Sequence, residues 1–144
     1  MQRQQPDQRG DFRHWSNITT RWMDNDVYGH INNVQYYSYF DTVINRFLIE
    51  RGLLDIHHGE IIGVAVESHC NYFSSAAFPQ GIEAGMRIGH LGRSSVRYEV
   101  GLFVAERDLA IAQGHFVHVF VERANNRPVA LPAELRAVLS ELMA

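Results

Sequence analysis

The sequence predicts a single α+β domain in which one long helix packs on an antiparallel sheet. From Val34 to about Arg51 the apolar residues recur with helical period, and four later segments alternate with a period of two. The turns between those four segments are short, and short connections make antiparallel neighbours. A long helix with a broad apolar face must then cover one side of the sheet.

At 144 residues and 16.5 kDa the chain has the length of one domain, spanning residues 14–144. Residues 1–13 read as a disordered tail, because Met1 to Asp11 are polar and lack the apolar stretch of a secretory signal. The first strand is expected from Trp15 to Trp22, where aromatic and β-branched residues mix. Asp24, Asn25, Asp26 and Gly29 break it into a loop, and Asn32 and Asn33 are candidate caps for the helix that follows. On that helix Tyr36, Tyr37, Phe40, Val43, Ile44, Phe47 and Leu48 fall in one arc, opposite Gln35, Ser38, Thr42, Asn45 and Arg46. Gly52 is its natural stop.

Beyond Gly59, Ile62, Val64, Val66, Ser68, Cys70 and Tyr72 are expected on one face of a strand. Ile82 to Ile88 alternate next, and the clearest alternation is Val96, Tyr98, Val100, Leu102 and Val104. A last strand is expected from about Leu109 to Glu122, and Pro132 opens a short terminal helix.

Composition narrows the function. The thirteen basic residues, all arginine, are outnumbered by sixteen acidic ones for a net charge of −3, so no excess exists to neutralise nucleic-acid phosphates. No apolar run approaches the roughly 18 residues needed to cross a bilayer. The lone Cys70 has no partner for an intrachain disulfide, and a cytoplasmic protein is expected.

Several chemistries lack their residues. Asp24 to Gly29 resembles the start of a calcium loop, but Tyr28 and Gln35 stand where oxygen donors are required. His115 and His118 are three apart in a strand and point to opposite faces, so they cannot chelate together, and no metal site is expected. There is no Gly-x-Ser-x-Gly elbow and no glycine-rich phosphate loop. What remains is the segment Arg21 to Asn33, which sets two carboxylates and a histidine ahead of a helix N-terminus. Exposed amides there favour an anion or a developing oxyanion. On chemistry alone, an aspartate that merely satisfies loop amides accounts for the segment slightly better.

Arg21-Trp22-x-Asp24-x-Asp26-x-x-Gly29-His30-x-Asn32-Asn33-x-x-Tyr36-x-x-Tyr39 closely resembles the signature of the hot-dog-fold acyl-CoA thioesterases of the 4-hydroxybenzoyl-CoA thioesterase type. The likeness continues in Leu91 to Ser95, in Gly114-His115, and from Arg127-Pro128 to Pro132. It implies a long helix wrapped by a curved antiparallel sheet of about five strands. It also implies homodimers joined sheet edge to sheet edge, often paired into tetramers, with active sites at the subunit interface.

The resemblance places the catalytic carboxylate on Asp26, which attacks the thioester carbonyl or serves as general base for water. It implies oxyanion or orienting roles near Gly29, His30 and Asn33, or in the partner's second strand, and a structural role for Asp24. Arg93, Ser94 and Arg127 would meet the phosphates of coenzyme A; for both arginines a solvated turn residue is the plainer account. Acids on the central helix exist in Asp41 and Glu50, and neither is assigned. The implied reaction is hydrolysis of an acyl-CoA thioester to a carboxylic acid and coenzyme A, without a cofactor. A hydratase or dehydratase acting on a thioester-bound acyl chain, and a non-catalytic acyl-CoA binding module, are the alternatives.

Overall fold

The computed structural model describes residues 4–143. A 3₁₀ turn (Arg9–Asp11) leads into β1 (His14–Ile18), and a second (Trp22–Asp24) precedes helix α1 (Asn33–Glu50). Then come β2 (Ile61–Tyr72), β3 (Ile82–Leu91), β4 (Ser95–Phe103), β5 (Ala112–Glu122) and helix α2 (Ala133–Ser140). The five strands form one antiparallel sheet in the order β1-β3-β4-β5-β2. It wraps around α1 in the expected hot-dog arrangement.

Helix α1 is set at both ends by local chemistry. The Asn32 side chain accepts the Val34 amide at 3.0 Å, which satisfies one of the donors a helix start leaves free. At the far end Gly52 adopts φ +69°, and the amides of Leu53 and Gly52 return to the carbonyls of Leu48 and Ile49. That double bond is a Schellman stop, and it needs a residue that tolerates the left-handed region. Between the caps Tyr36, Phe40, Val43, Ile44, Phe47 and Leu48 are buried as expected, while Tyr37 is half-buried. They share one apolar cluster with Ile82, Met86 and Ile88 of β3, Tyr98 and Leu102 of β4, and Phe116 of β5.

The strand predicted from Trp15 to Trp22 is shorter, because Arg21 and Asp24 bond each other and pull the chain into the second 3₁₀ turn. The last strand starts at Ala112 rather than Leu109, which instead bridges to Gln8. In β5, His115 and His118 do face opposite ways. His115 bonds Glu67 at 2.6 Å on the outer surface, whereas His118 is buried edge-on to Tyr98. Burial keeps the His118 imidazole below its ordinary pKa, against the opposing pull of Asp41.

β2 departs from its predicted phase. The register against β5 pairs Ala65 with His118 and then Glu67 with Val117, so Val66 is an extra residue, a β-bulge. One inserted residue exchanges the two faces. Ser68, Cys70 and Tyr72 therefore share a face with Gly63 and Ile61, not with Ile62 and Val64. β2 is also an edge of the sheet, and Val64 and Val66 are exposed on it.

The expected tail corrects to a packed segment over residues 4–13; residues 1–3 lie outside the described residues. Phe12 is 5% exposed and seats its ring on the outer face of the sheet, where a Cβ on Gly85 or Gly101 would stand 2.8 or 2.5 Å from it. Arg87 lies over that ring and pairs with Asp7 at 2.7 Å, and the Asp7 amide donates to Gln113. Phe12 and Asp7, with Arg9 bonded to Glu83 and to the Val104 and Arg107 carbonyls, fasten this polar stretch. Phe12→Ala is expected to lower unfolding stability by about 3 kcal/mol. Urea unfolding at fixed protein concentration measures this, and an unchanged midpoint would mean the segment is only laid against the sheet.

Candidate active site

The loop before α1 is built on a buried carboxylate. Asp24 is 1% exposed; its Oδ2 accepts the Arg21 amide at 3.0 Å and the Tyr39 hydroxyl at 2.8 Å. Its Oδ1 accepts Nη2 and Nε of the Arg21 guanidinium at 2.9 and 3.1 Å. Burial opposes ionisation, but these hydrogen bonds outweigh it and hold the carboxyl below its ordinary pKa. Burial and the adjacent carboxylate together push the Tyr39 phenol upward. Tyr39 belonged to the sequence motif without an assigned task. Its partner lies 15 residues earlier in the chain, and only the folded helix shows the pairing.

From that anchor the backbone closes on itself. Asn32 N–H donates to the Asp24 carbonyl, Asp26 N–H to the His30 carbonyl, and Ile31 N–H to the Ala76 carbonyl, all within 2.8–2.9 Å. Phe78 N–H donates to the Asn25 side chain at 3.0 Å. Gly29 closes the turn with its amide on the Asp26 carbonyl, at φ +81°, a region open to glycine at little cost. The loop is thus tied to both the helix and the segment after β2.

Asp26 is half-buried at the tip. Its Oδ1 accepts the Tyr28 amide at 2.9 Å, an Asx turn that fixes the carboxyl orientation and leaves Oδ2 without a partner among the described residues. The Gly29 amide is consumed by the turn, so of these two amides the His30 N–H is the one without a partner among the described residues. The His30 ring is exposed and its carbonyl braces Asp26. Around this tip Val27, Tyr28 and Val34 are 96%, 83% and 66% exposed, an apolar rim without cover in the single chain.

Asn33 sits at the start of α1, where its carbonyl accepts the Tyr72 hydroxyl at 3.1 Å. With Ile31, Tyr36, Tyr72 and Phe73 it lines a hollow of about 300 Å³. Tyr36 and Phe73 line this hollow, whereas Phe40 is fully buried and Phe78 packs against Trp22.

Arg93, Ser94 and Arg127 gather elsewhere. Their carbonyls accept the amides of Leu131, Phe120 and Glu122, which stitches the β3–β4 turn to the loop after β5. Both arginines are exposed. Glu122 pairs with Ile61 at one end of β2, whereas the Asp26 loop lies by Tyr72 at the other. Within one chain the two groups of predicted residues flank opposite ends of the edge strand.

The lowered pKa of Asp24 has a defined sign. Its contribution to stability is complete above the unfolded carboxyl value of about 4 and is lost as pH falls through the lower folded value. Asp24→Asn is expected to cost about 2 kcal/mol at neutral pH, the scale of a hydrogen bond to a charged group. It should also flatten the acid limb of a stability–pH curve measured by thermal unfolding. An acid limb identical to that of the unaltered protein would show that the carboxylate does not anchor the loop.

Residues 20–139 match the family model of the thioesterase-like superfamily. Among solved structures, the PA5185 protein of Pseudomonas aeruginosa strain PAO1 is 55% identical, with a TM-score of 0.94 over 96% of this chain and 97% of that one. The PA2801 protein of the same species, described as a candidate thioesterase, is 29% identical, with a TM-score of 0.80 over 87% of this chain and 96% of that one. A 1,4-dihydroxy-2-naphthoyl-CoA thioesterase from Synechocystis shares the fold at 15% identity, with a TM-score of 0.80 over 89% and 96% of the two chains. No curated protein matches the chain in sequence. Matched over most of its length by that family model and built on the hot-dog arrangement of its solved relatives, the chain belongs to the thioesterase-like superfamily.

Proposed function

We propose that the protein hydrolyses an acyl-CoA thioester to a carboxylic acid and coenzyme A, with Asp26 as the catalytic carboxylate. The observation that carries this reading is the free Oδ2 of Asp26, held in fixed orientation by the Tyr28 amide ahead of the α1 N-terminus. The carboxylate adds to the thioester carbonyl, the carbon–sulfur bond breaks, and the sulfur leaves as the thiol after taking a proton. Water then opens the resulting anhydride and regenerates Asp26. In the other route open to the same group, Asp26 takes a proton from water as that water attacks the carbonyl and gives it to the sulfur as the carbon–sulfur bond breaks. In both, negative charge develops on the carbonyl oxygen, and the unpaired His30 amide and the helix start favour it. The reaction consumes water and draws on no further cofactor.

We further propose that the working unit is a dimer joined through β2. An unpaired edge with exposed Val64 and Val66 is a liability in a lone sheet, and pairing with a second copy removes it. A two-fold axis near Val66 sets the Ile61 end of one strand beside the Tyr72 end of the other. The partner's Arg93, Ser94 and Arg127 then approach this chain's Asp26, and the split seen within one chain becomes a composite site. Arginine donors suit the coenzyme A phosphates. The apolar rim at Val27, Tyr28 and Val34 gains cover from the partner or the substrate. A further pairing into tetramers, and a cytoplasmic setting, belong to the same reading.

Asp26→Asn is expected to keep the fold and to lose about 10²–10⁴ in kcat, read by thiol release across aliphatic and aromatic acyl-CoAs. Near-normal rates would overturn the assignment, and product masses that gain water without releasing thiol would point to a hydratase. Replacing Val64 and Val66 together by lysine is expected to yield monomers by light scattering and to remove turnover. Active monomers would refute the shared site.

A further inference from the structure

The hollow beside helix α1 has a neighbour across the segment after β2. That hollow shares Phe73 and Ser74 with a second one of about 370 Å³, bounded by Arg107, Leu109 and Ala110 of the β4–β5 loop and by Pro6 of the N-terminal segment. The shared floor is firm, because the amides of Phe73 and Ser74 both donate to the Ile111 carbonyl, at 2.8 and 3.1 Å. The β4–β5 loop is firm as well. Arg9 donates from Nε to the Arg107 carbonyl and from Nη2 to the Val104 carbonyl, and the Ala110 amide donates to the Asp7 carbonyl. Together the two hollows reach from Asn33, at the start of α1, to the β4–β5 loop.

Their walls are apolar at Tyr36, Tyr72, Phe73 and Leu109, and one cation interrupts them. Arg107 Nη1 reaches the Ser74 hydroxyl at 3.5 Å, which sets the guanidinium over the floor common to both hollows. Arg107 makes no ion pair among the described residues, not even with its neighbour Asp108, which lines the same hollow. A guanidinium over an apolar floor with no carboxylate partner is complementary to an anionic oxygen group on a largely apolar ligand.

We infer that Arg107 is a specificity residue that receives an anionic group of the thioester substrate lying in these hollows. The inference rests on the thioesterase reading and narrows its substrate class to thioesters that bring a negative charge to Arg107. Two parts of a substrate can supply that charge, a second carboxylate on the acyl group or the phosphates of coenzyme A.

The test uses the full chain and Arg107→Gln with four thioesters. A dicarboxylic acyl group and a neutral acyl group of equal length are each joined to coenzyme A and to N-acetylcysteamine, which has no phosphates. In Arg107→Gln the kcat/KM ratio of charged over neutral substrate is expected to fall tenfold or more. A fall that tracks the acyl carboxylate on both thiols assigns the charge to the acyl group. A fall confined to coenzyme A thioesters, whatever the acyl group, assigns it to the phosphates. An equal change on all four, or none, overturns the inference. Calorimetry with the matching non-hydrolysable thioethers separates this from the parent reading. Charge-dependent binding that Arg107→Gln removes supports the inference even if the protein hydrolyses nothing. Hydrolysis by the unaltered protein without any charge preference overturns the inference and leaves the thioesterase reading in place.

Discussion

The enclosed Asp24 carboxylate, with its bonds from Arg21 and Tyr39, is the interaction on which the geometry of the candidate site depends. It joins three elements at one point: the end of the first extended segment, the loop and the second turn of α1. A carboxylate taken out of water is costly unless every lone pair finds a donor, and here four donors converge on two oxygens. That cost makes the arrangement specific, since any other loop path would strand a buried charge. Asp26, two residues on, inherits a fixed position without being buried itself.

The same division of labour recurs in the sheet. Strands β3 and β4 are enclosed by α1 on one face and by the Phe12 segment on the other, and they supply the rigid middle. The residues proposed to carry the chemistry lie at the periphery, on the loop before α1, the β3–β4 turn and the β4–β5 loop. Peripheral groups on a stiff frame can be placed with small tolerance, which an open surface cleft on a mobile chain could not provide.

Much of this was legible in the chain. Helix α1 was, because its period, its Asn32 cap and its Gly52 stop agree over eighteen residues. β4 was too, because its alternation is unbroken. The reading failed where the deciding contact lies far off in sequence. A two-residue repeat carries no sign of a bulge, so the pattern gives β2 one phase throughout and sets half its side chains on the wrong face. Phe12 is a single apolar residue among polar ones, and no local pattern tells of Gly85 and Gly101 waiting for it. The Asp26 loop was recognisable by residue type and spacing. Its separation from Arg93 and Arg127 follows only from the strand register, which no local motif encodes.

The irregularity at Val66 has a bearing on what else can join that margin of the sheet. An arbitrary extended peptide keeps an even repeat, so it can match the free amides and carbonyls on one side of Val66 but falls out of step on the other. A strand with the same interruption, read in the opposite direction, stays matched throughout. In the proposed dimer the kink would work like the notch on a key blank, letting self through and turning strangers away with a single residue.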